Sequence, residues 1–123
     1  MTDFSFLNLY VSDNAASAGF YSELLEIPII EEKEGFSLLP LKDGVMLGLW
    51  MREAVEPETN EKPGANEIAF AVSDPATVED MHADWSERGV TITQEPTVMS
   101  FGTTFLALDP DGHRLRVFAP LAA

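Results

Sequence analysis

Apolar and polar residues alternate over residues 4–11 (Phe-Ser-Phe-Leu-Asn-Leu-Tyr-Val), and this period of two predicts a strand. Asp13 or Ser12 then offers an N-cap oxygen to a helical pattern over residues 16–25, which carries Phe20, Tyr21, Leu24 and Leu25 on one stripe and stops before Pro28. Residues 27–32, 36–41 and 45–51 are short β-prone runs. They are broken at Glu34-Gly35 and at Lys42-Asp43-Gly44, where Asp-Gly favours a tight hairpin because glycine accepts positive φ. The first half of the chain therefore predicts a βαβββ unit.

The same order then returns. Val11-Ser12-Asp13 recurs as Val72-Ser73-Asp74, 61 positions on (72 − 11), again between an alternating run (67–73) and a helical pattern (78–88). Asp74-Pro75 is a cap followed by proline at the first helical position. Val78, Met81, His82 and Trp85 fall at i, i+3, i+4 and i+7, one helical stripe that Gly89 ends. Residues 91–93, 99–108 and 113–118 supply three more strands, the last two joined by the turn Asp109-Pro110-Asp111-Gly112. A period of half the chain means two copies of one unit, not a solenoid. The prediction is an α+β fold of two βαβββ modules, residues 1–52 and 66–123, forming a curled mixed sheet around a cleft. The acidic stretch 53–65, with Pro57, Pro63 and Gly64, reads as a linker or as a flap.

Composition narrows the function. The 123 residues are 46% hydrophobic, enough for one domain with a core. Zero cysteines exclude a disulfide scaffold, a thiolate metal site and a cysteine nucleophile. Neither a signal peptide at Met-Thr-Asp-Phe nor an apolar run near the ~20 residues of a membrane span is evident, so a cytoplasmic protein is expected. A net charge of −14, from 21 acids against 7 bases, makes nucleic acid and anionic membrane poor partners. Two of the few arginines, Arg114 and Arg116, stand one strand period apart near the C-terminus. His82 reads as a satisfied buried histidine and His113, after a turn, as solvated. There is no nucleophile elbow, phosphate-cradling glycine loop or nucleotide fingerprint.

A strand ending Val-x-Asp, a helix carrying Phe20-Tyr21 and Leu-Leu-Glu, a second Phe-x-Val-x-Asp at Phe70 to Asp74, and a closing Asp-Pro-Asp-Gly-His resemble the vicinal oxygen chelate superfamily. That group includes glyoxalase I, extradiol dioxygenases and the fosfomycin- and bleomycin-resistance proteins. The resemblance covers nearly the whole chain and implies paired βαβββ modules around a shared cleft, usually in a homodimer. It also implies four metal-ligand positions on the strands, which here hold Phe6, Gly48 (within one or two residues of register), Glu67 and Arg116. Phe6 and Gly48 offer no donor and Arg116 is a fixed cation, so no metal and no cofactor is expected.

Glu67 and Arg116 occupy facing family positions and are expected to pair bidentately, either as a salt bridge in place of the metal or with Arg116 turned to a ligand, alone or with Arg114. If Gly48 faces the cleft, so do Met46 and Trp50, and glycine would clear space beside the indole. Trp50 is then either core or a ligand platform. The tract 45–50 and the closing 109–118 look like the subset near phenazine- and bleomycin-resistance proteins, some of which hold a planar drug between aromatic side chains, and this favours the platform. Phe36, Phe101, Phe105 and Phe118 are further aromatics for such a clamp, and Phe36 and Phe105 join the candidate site.

Three functions follow. The leading one is a metal-independent binding protein for a small aromatic molecule, of the drug-sequestering, antibiotic-resistance kind, without catalytic residues. The alternative is a glyoxalase- or dioxygenase-like lyase or isomerase, or a variant using Glu67 as base, against which pairing with Arg116 would work. The third is a structural subunit with a vestigial cleft.

Overall fold

The repeated Val-Ser-Asp marks a strand end and a helix start in both halves of the computed structural model, which describes residues 2–121. Asp13 Oδ1 accepts from the backbone N–H of Ala15 and Ala16 (3.1 and 3.2 Å). Asp74 Oδ1 accepts from the Thr77 N–H and hydroxyl, both at 2.8 Å. Each cap satisfies donors that the first helical turn would leave unpaired. The chain divides into two units, residues 1–61 and 62–123, and the division falls inside the acidic stretch.

The first unit runs β1 (Phe6–Val11), α1 (Asn14–Leu25), β2 (Glu31–Lys33), β3 (Phe36–Lys42), β4 (Val45–Met51). Its sheet has the order β1-β4-β3-β2, with β1 and β4 parallel and the other pairs antiparallel. The second unit runs β5 (Glu67–Ala71), α2 (Pro75–Glu87), β6 (Thr91–Met99), β7 (Gly102–Leu108), β8 (Arg114–Pro120). Its sheet repeats the plan as β5-β8-β7-β6, with β5 and β8 parallel. The fold is α+β: two βαβββ modules, each building a four-stranded mixed sheet with a helix on one face. Neither helix is long and apolar enough to cross a membrane.

Alternation along each strand sorts side chains between a face beneath the helix and an open face. Beneath α1 lie Leu9, Val11, Leu39, Leu47 and Leu49, closed over by Ala18 and Tyr21. Asn14 is drawn into this core because its amide donates to Ser37 Oγ (2.8 Å) and to the Lys33 carbonyl (3.0 Å). The buried stripe of α1 is thus Asn14, Ser17, Ala18 and the large Tyr21, while Phe20 is only half-buried. Beneath α2 lie Phe105, Ala107, Leu115 and Val117, meeting Val78 and Trp85 of the predicted stripe.

Helix α1 ends at Leu25, where its pattern ends, because Glu26 adopts the left-handed conformation (φ 55°) while the Ile27 N–H turns back to the Ser22 carbonyl. Other boundaries differ from the sequence pattern. Residues 27–30 lie outside the short strand β2. Strand β6 continues through Pro96 to Met99 as an edge strand, its register shifting between Gln94 and Thr97, which tolerates a residue without an N–H. The expected strand 99–108 is interrupted by a turn at Ser100-Phe101. His113, expected to be solvated, is buried, its N–H donating to Asp109 Oδ1 (2.8 Å) in the turn before β8.

Candidate functional site

On the first module the open face carries Phe6, Asn8 and Tyr10 of β1, Phe36 and Leu38 of β3, and Met46, Gly48 and Trp50 of β4. A cavity of about 520 Å³ on this module is lined by Phe6, Asn8, Lys33, Phe36 and Trp50. Trp50 is half-buried, its ring edge-on to Tyr10 (centroids 6.1 Å apart, planes at 85°). This geometry holds the indole in place without burying it. Phe6 is 50% exposed.

Gly48 is the floor. A Cβ there would meet Asn8 Oδ1 well inside 3.0 Å and the Phe36 ring at 3.1 and 3.2 Å. The volume that glycine clears is therefore taken by the Asn8 amide and the edge of Phe36, not left open beside Trp50. Met46 shares the face but is not among the cavity's lining residues. Asn8 and Lys33 were not expected at the site. Lys33 Nζ lies 2.8 Å from Glu31 Oε1, and that hydrogen bond and charge hold its ammonium above the usual lysine value.

The second module presents the same face with different chemistry. Cross-strand partners Phe6–Met46, Asn8–Gly48 and Tyr10–Trp50 correspond through the repeat to Glu67–Arg114, Ala69–Arg116 and Ala71–Phe118. Gly48 is thus the counterpart of Arg116 without a residue of slippage, and Trp50 that of Phe118. Arg116 Nε donates to Glu67 Oε2 (2.6 Å), and its Nη1 donates to Gln94 Oε1 and Thr104 Oγ1, both at 3.1 Å. The pair is single-pronged, not the expected fork, because the second nitrogen is taken by Gln94 and Thr104. Arg114 Nε stands 3.9 Å from Glu67 Oε1, outside hydrogen-bond range, and has no hydrogen-bond partner among the described residues.

A cavity of about 470 Å³ borders this cluster, lined by Glu67, Ala69, Phe101, Arg116 and Phe118. Phe101 and Phe118 meet edge-to-face at 6.0 Å, and the Arg116 guanidinium lies 5.8 Å from the Phe101 ring centre. Phe105, expected at the site, is fully buried on the other face, against Trp85 (5.3 Å) and His82 (5.4 Å). A single strand over 99–108 would have given Phe101 and Phe105 the same parity. The turn at Ser100-Phe101 breaks that parity, sending Phe105 beneath α2 and leaving Phe101 at the cavity. His82 is half-buried and pairs with Glu95 Oε2 at 2.5 Å.

A divalent metal does not fit these residues. Of the four implied positions, Phe6 and Gly48 have no donor atom, and Glu67 faces two guanidinium groups that would repel a cation. No group of three or more His, Cys, Asp or Glu side chains placed to hold a metal occurs among the described residues.

Comparison with known proteins agrees with this architecture. The family model for the glyoxalase/bleomycin resistance protein/dioxygenase superfamily matches residues 4–117. The phenazine antibiotic resistance protein EhpR of Enterobacter agglomerans is 26% identical over 112 residues, 89% of this chain and 85% of that protein. A protein from Agrobacterium tumefaciens, solved in solution by NMR, is 44% identical, with a TM-score of 0.89 over 99% of this chain and 100% of that one. A glyoxalase/bleomycin resistance protein/dioxygenase from Nocardioides shares the fold at 22% identity, with a TM-score of 0.85 over 100% of this chain and 86% of that one. With nearly the full length of both repeats inside the family match, the chain belongs to the glyoxalase/bleomycin resistance protein/dioxygenase superfamily.

Proposed function

We propose that this protein binds a planar aromatic compound without a metal, on the open face of its first module, in the manner of a drug-sequestering resistance protein. The observation that carries the reading is the cavity of about 520 Å³ walled by Phe6, Phe36 and Trp50, with the Asn8 amide and the Lys33 ammonium as its polar side chains among the described residues. Aromatic walls with few polar groups suit a flat, weakly polar ring. The similarity to a phenazine resistance protein supports the same class and suggests phenazines as first probes.

A lyase, isomerase or dioxygenase reading asks for a metal or a free base. The metal positions do not fit one, and Glu67 already accepts from Arg116 at 2.6 Å. The binding reading involves no cofactor, no nucleic acid and no membrane partner. We extend it to assembly as a homodimer, because Phe4, Ile30 and Val98 are 68, 54 and 77% exposed and call for apolar cover. Sedimentation at micromolar concentration should then give twice 13.5 kDa.

A thermal-shift screen with planar aromatic compounds tests the central reading. A ligand at a hundred times its Kd stabilises the native state by about 2.7 kcal/mol, so a hit raises Tm measurably. A screen in which no planar compound shifts Tm up to its solubility limit would contradict it. Elemental analysis of protein purified without chelator should find no stoichiometric zinc, nickel, iron or manganese.

A further inference from the structure

A planar ligand's polar edge needs a partner of its own, and the first-module cavity supplies one. We infer that this cavity selects planar aromatic carboxylates, the ring lying against Trp50 and Phe36 and the carboxylate meeting Lys33 Nζ. The inference rests on the proposed aromatic site and narrows it to one class of ligand.

Lys33 is the one cation lining that cavity among the described residues. The cation expected to anchor a ligand, Arg116, is committed to Glu67, Gln94 and Thr104. Arg52 donates to the Glu61 carbonyl at 2.6 Å. Lys33 differs from both. Its side chain is 70% exposed, and the partner shown for it is Glu31, two residues away on the same strand. An exposed ion pair of this kind holds weakly, and an ammonium has three N–H donors, so Lys33 can keep Glu31 and still donate to a ligand carboxylate. A lysine ammonium is charged at neutral pH without any help, and Glu31 holds this one above its usual value. On the cavity floor the Asn8 amide, set over Gly48, offers a donor and an acceptor to a polar atom of the ring.

The whole-molecule charge makes the inference testable in sign. At −14 the protein's field disfavours an anionic ligand, so preference for an acid over its neutral amide requires a local cation. With Lys33 removed, that preference should vanish or reverse.

The experiment is titration calorimetry of the parent and of Lys33→Met and Lys33→Arg with phenazine-1-carboxylic acid, phenazine-1-carboxamide and unsubstituted phenazine. Lys33 is exposed at the end of a short strand, and circular dichroism checks that both variants fold. The parent should bind the acid about two- to fivefold more tightly than the carboxamide, the range expected of one exposed ion contact. Lys33→Met should abolish or invert that ratio, and Lys33→Arg should retain it. An acid bound no better than the carboxamide, or a preference that survives Lys33→Met, overturns the carboxylate inference while the aromatic site stands. Binding of none of the three to the folded parent overturns both.

Discussion

Gly48→Ala separates the cavity from the core. The added Cβ would sit well inside 3.0 Å of Asn8 Oδ1 and 3.1 Å from Phe36 Cζ, against ordinary contacts of 3.4 Å or more. The Asn8 amide can swing away because it is the end of an exposed side chain, and Phe36 must shift by a few tenths of an ångström. Overpacking in a closed core costs about 1–3 kcal/mol, and the low end applies here because both neighbours border open volume. Replacing glycine within a strand returns roughly 0.5–1 kcal/mol through the stiffer unfolded chain. The two nearly cancel, so Tm should move by no more than about 3–5 °C, the change expected of ~1 kcal/mol in a domain of this size. Ligand binding should fall further. Stacking is worth about 1–3 kcal/mol per ring, and a wall displaced by a few tenths of an ångström forfeits up to about a quarter of its contact, giving at most roughly a fourfold weaker Kd for a planar ring. Calorimetry with phenazine beside a thermal melt reads both quantities. A variant that melts like the parent and binds with unchanged Kd would show that Asn8 and Phe36 do not form the ligand's wall, and a variant that fails to fold would show that position 48 is sealed core.

Gly102→Ala is predicted to behave in the opposite way. Its φ is +144°, and a Cβ would be driven into the Ala119 carbonyl, which is backbone and cannot swing aside. Strain and overpacking together should cost about 3 kcal/mol or more, read as a large fall in Tm. Asp74→Ala should lower Tm at pH 7 by uncapping α2. The Thr77 hydroxyl and N–H hold the Asp74 carboxyl below its usual 3.8. Its contribution is therefore fully present above that pH and lost as pH falls through the depressed value, so melts of parent and variant should converge in strong acid. Divergence there would contradict the cap's role.

Both modules were legible in the sequence because their signals are local and duplicated: Asp13 and Asp74 cap the helices as their spacing implies, and β4 keeps its predicted limits of Val45–Met51. The family resemblance placed Phe6 and Gly48 on the cleft face, and strand parity carried that placement from Gly48 to Trp50. What escaped depended on pairing across strands or on a break in parity. Asn8 stands out only once β1 is registered against β4, which puts its amide over a glycine. Lys33 reaches the cavity from a three-residue strand with no periodicity to read. Phe105 and Phe101 exchanged places because Ser100 carries no strong turn signal. For Arg116 the sequence left a salt bridge with Glu67 and a ligand contact both open, and it could not show that Gln94, brought alongside by the irregular edge strand β6, takes its second nitrogen.

Trp50 is either a ligand platform or part of the core, and calorimetric titration of Trp50→Ala with phenazine decides between them most directly. The indole is half-buried and packs edge-on against Tyr10, so the variant should fold, as a melt will show. Loss of one stacking surface worth about 1–3 kcal/mol should weaken binding roughly ten- to a hundredfold. A folded Trp50→Ala that binds phenazine as tightly as the parent would contradict the assignment and return Trp50 to the core.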